Sequence, residues 1–131
     1  MVIVDTTVWI DYLRGAANPE TRWLGREMTV QRLGLTDVIL CEVLQGIKSE
    51  PAFLQAKEDL CKFQVFQTGG IEFAATAAKN YRELRRQGHT VRKTIDCLIA
   101  TFCLQEGHSL LHRDHDFDPF EKVLGLQVVH P

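Results

Sequence analysis

Acidic side chains recur at points of this sequence where a charged group is unexpected. One ends the first apolar run, one lies inside an apolar segment, one begins a long apolar segment and two follow a short apolar run near the C-terminus. Oxygen ligands without a paired histidine or cysteine favour Mg²⁺, or else Mn²⁺, over zinc. If these side chains converge, they predict a divalent metal site. They are Asp5, Glu42, Asp96 and Asp114, with Asp116 able to share or replace the role of Asp114.

Each acid taken alone also has an ordinary structural explanation. Asp5 is a favoured type of helix N-cap, Asp96 suits the positive end of a helix dipole, and Asp114 is a common turn residue. Glu42 is harder to explain, because a carboxylate among apolar neighbours is unfavourable unless it is paired or bound to metal. Two carboxylates about 4 Å apart repel by roughly 4 kcal/mol at an effective dielectric constant of 20, so a cluster would require protons or cations.

The spacing of apolar residues predicts short strands that alternate with helices. Such alternation implies parallel strand pairing, right-handed crossovers and helices on both faces of the sheet. The sequence therefore predicts a single three-layer α/β/α domain over residues 1–131, with a central, mainly parallel five-stranded sheet. The predicted strands are 2–4, 33–35, 65–67, 109–111 and 126–129, and the predicted helices are 6–14, 19–28, 38–47, 51–62, 71–87 and 94–107.

A basic stretch lies just before Asp96. It carries five cations against a single acid, Glu83, and its charge suits a polyanion whose reactive phosphate meets an acidic metal centre. The alternative is a solvated helix end whose cations complement the C-terminal dipole. The cations are Arg82, Arg85, Arg86, Arg92 and Lys93, of which Arg86, Arg92 and Lys93 are the predicted substrate-binding residues.

Composition places few limits on the partner but several on the class of protein. The chain has 45% hydrophobic and 24% charged residues, which is typical of globular proteins. No apolar run reaches the roughly 18 residues of a membrane span, and no secretory signal is visible. The four cysteines form no CxxC pair and lie in apolar stretches, which favours buried thiols in a reducing compartment. We therefore expect a cytoplasmic protein with no membrane partner.

Four segments, in this order along the chain, resemble PIN-domain ribonucleases and, more narrowly, the VapC toxins of bacterial and archaeal toxin–antitoxin pairs. The resemblance runs from Val2 to the last predicted strand. Any one segment is weakly specific, whereas the ordered set is strongly specific. The segments are VDTTVWIDYLRG, LCEVLQGI with its glutamate, TVRKTIDCLIATFC and LLHRDHDFDPF.

The resemblance implies Mg²⁺- or Mn²⁺-dependent endonucleolytic cleavage of RNA. It also implies a homodimer and a cognate VapB-type antitoxin that blocks the acidic site. Matched residue by residue, the family's acidic quartet falls on Asp5, Glu42, Asp96 and Asp114, and its small hydroxyl residue after the first aspartate falls on Thr6.

The same chemistry follows from the acids themselves. One or two Mg²⁺ ions can make a water nucleophilic and stabilise the leaving oxygen of a phosphodiester. Asp5 and Asp96 would hold the principal ion, with Glu42 and Asp114 completing its shell. No serine–histidine–aspartate or cysteine–histidine arrangement competes at usable spacing, and the HxxH of residues 112–115 lacks a third clear zinc ligand.

Other function classes are weaker. A phosphoacceptor signalling domain would need an aspartate after its middle strand and a lysine after a late one, whereas the third predicted strand ends in Gln67-Thr68-Gly69-Gly70 and no lysine follows the fifth. Two alternatives within the fold stay open: a non-toxin PIN nuclease of RNA processing, and a PIN module that binds RNA or protein without cutting. A cleavage assay with and without chelator separates the enzyme from the binding module.

Overall fold

A parallel four-stranded sheet forms the centre of the molecule, as seen in a computed structural model that describes residues 1–131. The sheet order is β3-β2-β1-β4, so the first and last strands of the sequence are neighbours. All three strand pairs are parallel, which brings the carboxyl ends of the strands to one edge. The strands are β1 (Val2–Val4), β2 (Leu33–Thr36), β3 (Gln64–Phe66) and β4 (Ser109–Leu111).

Helices flank this sheet and connect its strands. The first two pack against each other, the third packs against the first and fourth, and the fifth packs against the sixth and seventh. The predicted α/β class, with a parallel sheet flanked by helices, is confirmed. The helices are α1 (Thr6–Leu13), α2 (Pro19–Glu27), α3 (Asp37–Gln45), α4 (Glu50–Leu60), α5 (Ile71–Arg86), α6 (Thr94–Glu106) and α7 (Asp118–Leu124).

The C-terminal region differs from the sequence expectation. The predicted fifth strand, residues 126–129, forms only an isolated parallel bridge between Val128 and Leu110, so the sheet has four strands. Two backbone hydrogen bonds link this segment to β4: the Leu110 N–H donates to the carbonyl of Gln127 at 2.8 Å, and the Val129 N–H donates to the carbonyl of Leu110 at 3.0 Å. The segment before it contains a 3₁₀ helix (His115–Phe117) and α7, neither of which is among the helices predicted from the sequence. Pro119 is placed in the first turn of α7, where its missing N–H is not needed.

Large apolar side chains from the sheet and helices make one continuous core. Trp9, Phe117 and Phe120 are among its largest fully buried members. Most of α6 is buried, as its nearly all-round apolar pattern predicts. The expectation for the cysteines is only half correct: Cys97 and Cys103 are buried, whereas the free thiols at positions 41 and 61 are exposed. No helix combines the length and apolar character required to cross a membrane.

Gly34 lies in β2 where its neighbours leave no room for a side chain. A Cβ there would lie 3.0 Å from the backbone oxygen of Gln64, 3.0 Å from the Phe66 ring and 3.1 Å from the sulfur of Met1. We expect Gly34→Ala to lower the free energy of unfolding by about 1–3 kcal/mol, as overpacking does. Urea unfolding followed by circular dichroism measures this change. Gly46→Ala is the control, because its Cβ would have no neighbour nearer than 3.7 Å; equal losses in both variants would refute the steric explanation.

Candidate metal site at the carboxyl edge of the sheet

Asp5 is held at the carboxyl end of β1 by contacts on both sides. Its N–H donates to the carbonyl of Leu111 at 2.9 Å, which extends the pairing of β1 with β4 by one residue. Its side chain caps α1, because Oδ2 accepts hydrogen bonds from the backbone N–H of Thr7 at 3.1 Å and from the Thr7 hydroxyl at 2.7 Å. The carboxylate is therefore fixed in position and almost fully buried.

The helix cap uses only one of the two oxygens of the Asp5 carboxylate. Both hydrogen bonds from Thr7 go to Oδ2, so Oδ1 is left for another ligand. Burial raises the pKa of Asp5 from 3.8 to about 6; the bonds from Thr7 oppose the rise, and the charge of Glu42 adds to it. A residue serving only as a helix cap would be expected to have a lowered pKa, because the helix N-terminus favours the anion. Asp5 thus has the capping role and is also suited to binding a cation.

Glu42 is presented from α3 toward the start of α1. The hydroxyl of Thr6 donates to its Oε1 at 2.7 Å, a contact between residues 36 positions apart in the sequence. The side chain is half-buried, which is less than its apolar sequence neighbours suggested. Thr6 therefore orients one oxygen of Glu42 and leaves the other free.

Asp96 is the most perturbed acid of the group. It lies in the first turn of α6, yet its Oδ2 is buried and has no hydrogen-bond partner. Burial raises its pKa from 3.8 to about 7, with a further rise from the charge of Asp5 and a lowering from that of Lys93. Burial thus outweighs the stabilisation that a helix N-terminus gives to an anion. A buried carboxylate oxygen without a donor is a position that a bound cation would satisfy.

Asp114 and Asp116 meet Asp96 through a tight turn. The Asp116 N–H donates to Asp114 Oδ1 at 2.9 Å, and the Asp114 N–H donates to His112 Nδ1 at 3.0 Å. One carboxylate oxygen from each of the three aspartates lies within 4.8 Å of the others. The structure therefore brings together both of the residues between which the sequence could not choose.

The acids form two adjoining groups rather than one evenly spaced quartet. The set of three aspartates whose oxygens lie within 4.8 Å of one another does not include Asp5 or Glu42. The charges of Asp5 and Glu42 nevertheless raise the pKa of Asp96. All of the donors are carboxylate oxygens, which fits a hard divalent cation such as Mg²⁺ or Mn²⁺. The arrangement can hold such a cation.

Two basic residues balance these charges. Lys93 Nζ lies 3.4 Å from Asp114 Oδ2 and 4.0 Å from Asp96 Oδ2, and the two carboxylates raise the pKa of the lysine. Arg92 Nε lies 4.0 Å from Asp116 Oδ1. Both residues were predicted to bind substrate, and the structure shows them in contact with the acids.

Arg86, the third predicted substrate-binding cation, is engaged elsewhere. Its guanidinium donates to both oxygens of Glu83, with the shortest distance 2.6 Å. Glu83 lies one helical turn earlier in α5, so this is a local pair on the helix surface. The structure does not place the Arg86 guanidinium against the acidic groups.

Sequence reasoning missed the role of Thr7 and Arg113. The Thr7 hydroxyl donates to Asp5 and accepts the backbone N–H of Arg113 at 3.1 Å, which links the chain after β1 to the chain after β4. The Arg113 side chain extends this link to Asp11 at 3.1 Å and Glu20 at 3.3 Å. The signal available in the sequence was the hydroxyl residue two places after a capping aspartate.

The two histidines beside the acids make separate contacts. His112 accepts from the Asp114 N–H and its pKa is lowered by burial, whereas the fully exposed His115 pairs with Asp118 at 3.0 Å. The two side chains therefore contact the turn that carries Asp114 and do not converge on one ligand.

Comparisons with known proteins identify a family by sequence and a shared fold by structure. The PIN domain model matches residues 2–123. Ribonuclease VapC11 of Mycobacterium tuberculosis is 33% identical, covering 98% of this chain and 97% of that protein. The structure of FitAcB from Neisseria gonorrhoeae superposes with a TM-score of 0.77 at 18% identity, over 100% of this chain and 98% of that one. VapBC2 from Rickettsia felis, bound to a DNA fragment from its promoter, gives 0.76 at 16% identity, over 98% of each chain.

The raised pKa values predict that the metal-free protein loses stability as the pH rises. Asp5 and Asp96 have pKa values of about 6 and about 7 in the folded state, above the ordinary 3.8. Folding is therefore favoured by their protonation below about pH 4, and this contribution is lost as the pH rises through 6 to 7. Each unit of pKa difference corresponds to about 1.4 kcal/mol.

The measurement is thermal unfolding in EDTA across this pH range. We expect the melting temperature of the native protein to fall relative to that of Asp96→Asn between about pH 4 and about pH 7.5, and Mg²⁺ to recover the difference at the upper end. Parallel pH profiles for the two proteins would show that the pKa of Asp96 is not raised in the folded state.

Proposed function

This chain belongs to the PIN-domain family, and on that premise we propose that it is a Mg²⁺-dependent endoribonuclease, the toxin of a VapBC-type toxin–antitoxin pair. The observation that carries the metal-dependent chemistry is the buried, unpartnered oxygen of Asp96 among other carboxylates. Likeness to a VapC ribonuclease over nearly the whole of both chains supports the toxin role. RNA is the proposed substrate, a VapB-type antitoxin the proposed partner, and a homodimer the proposed assembly.

The two acidic groups suggest how a divalent cation would be held. Asp5 and Asp96 are the proposed principal ligands, and Glu42 and Asp114 complete the shell directly or through water; Asp116 is close enough to contribute. A cation bound there supplies the positive charge that makes a water nucleophilic near neutral pH and stabilises the leaving oxygen of the phosphodiester. Mn²⁺ has the same ligand preference and is the alternative ion.

The remaining residues orient these ligands and manage their protons. Thr6 directs Glu42 and Thr7 directs Asp5, each through a hydroxyl hydrogen bond of 2.7 Å. Asp5 and Asp96, with raised pKa values, must release protons when a cation binds, so metal affinity should increase with pH. Lys93 partly offsets the charges of Asp96 and Asp114 while no cation is held, and its contact with the substrate phosphate is part of this proposal.

No observation favours a PIN module that only binds. The four proposed acids are all present, and two of them, Asp96 and Asp114, share one small volume with Asp116. Nor does the structure favour a non-toxin nuclease of RNA processing, whereas the near-complete overlap with VapC11 supports the toxin.

The first functional prediction is metal-dependent cleavage. The purified protein should cleave single-stranded RNA with Mg²⁺ or Mn²⁺ and stop in EDTA, as gel electrophoresis of a labelled RNA would show. Asp5→Asn is the matched variant: it should cap α1 about as well as aspartate and yet abolish cleavage, because a neutral amide is a poorer ligand for Mg²⁺. Activity that survives exhaustive chelation would exclude the proposed mechanism, and a fully active Asp5→Asn protein would leave Asp5 with only its capping role.

The second functional prediction concerns the Thr6 hydroxyl. Thr6→Val keeps the shape of the side chain but removes the donor to Glu42, so the carboxylate loses its orientation. Removal of such a supporting contact typically lowers metal affinity or activity by roughly 10- to 100-fold. The concentration of Mg²⁺ that gives half-maximal cleavage should therefore rise, and Thr6→Ser should restore it. If Thr6→Ser behaves like Thr6→Val, the methyl group rather than the hydroxyl matters at this position.

A further inference from the structure

We infer that the exposed surface of α5 that carries Lys79, Arg82 and Arg85, here called the α5 basic face, binds the phosphate backbone of the RNA strand that reaches the acidic site. The inference rests on the proposed function, since it names the surface along which that substrate approaches. It differs from the sequence-based assignment, which placed substrate binding on Arg86, Arg92 and Lys93.

The first argument is that some cations of this region are paired with carboxylates and others are not. Arg86 is paired with Glu83, Arg92 with Asp116, and Lys93 with two aspartates of the acidic site. None of the three members of the α5 basic face forms an ion pair with a carboxylate. A cation without an internal partner retains its full charge for an external anion.

The second argument is local charge. The α5 basic face forms one open, exposed patch together with Tyr81, Glu83 and Arg86, all on the same helix. Glu83 is the only acid there, and it is already held by Arg86 and by the amide of Gln87 at 2.6 Å. The patch is therefore positive on a chain whose formal net charge is −2. A positive patch on an acidic protein concentrates a polyanion from solution.

The third argument is continuity with the acidic site. Arg82 also lines a neighbouring pocket together with Thr94, the first residue of α6. Thr94 follows Lys93 directly and stands two residues before Asp96. A strand lying along the α5 basic face is thus led from Arg82 past the start of α6 to the carboxylates. The chain between α5 and α6 contributes Arg92 and Lys93 along the same path.

The fourth argument is the arrangement of the cations on the helix. Lys79, Arg82 and Arg85 follow one another at intervals of three residues, which places successive Cβ atoms about 5–6 Å apart. Arg85 is held at the surface because its Nη1 donates to the Tyr81 hydroxyl at 3.2 Å and its guanidinium lies 5.9 Å from the centre of that ring. A row of regularly spaced cations matches the repeating charge of a nucleic-acid backbone better than the scattered acids of a protein surface.

The test is the salt dependence of RNA binding in EDTA. Under this condition cleavage is not supported, and Arg92 and Lys93 stay paired with the acids. The probe is a fluorescein-labelled single-stranded RNA of random sequence, about 20 nucleotides long. In the variant Lys79→Gln/Arg82→Gln/Arg85→Gln, the slope of log K against log salt should become shallower by up to about 2, at about 0.7 per lost phosphate contact, and affinity at low salt should fall by about tenfold or more.

A matched control makes the result specific. Lys48→Gln/Lys57→Gln/Lys122→Gln removes the same formal charge from exposed positions elsewhere. This variant should keep the native slope. An unchanged slope in the α5 variant, or an equal loss in the distant lysine variant, would overturn the inference. A native slope combined with lost binding of a co-expressed antitoxin would overturn it too, and would assign this surface to an acidic protein.

The outcome can be separated from that of the proposed function. Cleavage by the native protein in Mg²⁺ tests the enzyme, whereas the slope in EDTA tests the surface. If the native protein cleaves RNA and the α5 variant binds with an unchanged slope, the surface is wrong and the enzyme stands. If the slope changes as expected but no cleavage occurs, RNA binding stands and the catalytic proposal fails.

Discussion

Burial of carboxylates close to one another is the constraint on which the rest of this structure depends. Burial raises the pKa of Asp5 to about 6 and that of Asp96 to about 7, and the charges of neighbouring carboxylates add to both rises. The fold tolerates this because each acid has a support that does not neutralise it fully: a helix cap for Asp5, a threonine hydroxyl for Glu42 and a shared lysine for Asp96 and Asp114. A bound divalent cation would neutralise the negative charge that these contacts leave uncompensated.

The sheet topology makes this convergence possible. Because β1 and β4 are adjacent and parallel, the residues that follow them emerge side by side, although more than 100 positions separate them in the sequence. The hydrogen bond from the Asp5 N–H to Leu111 fixes their relative height. The helix α6 begins at the same edge, since it must run back across the sheet before β4 starts, and this places Asp96 beside the other two segments.

Much of this arrangement could be predicted from the sequence, because it depends on local patterns. The run of Val2–Val4 into Asp5 marks a strand end, and the apolar α6 marks a buried helix with an acid at its start. The sequence-based predictions are wrong where several weak interactions together determine the structure. Residues 126–129 have strand-forming composition but only one bridge to β4, and the segment after Asp114 forms α7 through contacts of Phe117 and Phe120 with a distant core. No local pattern reports those contacts.

The basic residues show the same limit more sharply. Counting charges between Tyr81 and Thr94 treats every cation as equal. In the folded protein, the availability of each cation for an external anion depends on whether a carboxylate is already paired with it. Arg86 is cancelled by Glu83 one turn away, and Lys93 by aspartates from two other segments. The formal charge of a segment can be counted from the sequence, but which of its cations are left unpaired is determined by the fold. A nucleic acid responds to cations that are not already paired, and three of these, Lys79, Arg82 and Arg85, share the exposed surface of α5 rather than lying directly against the acids.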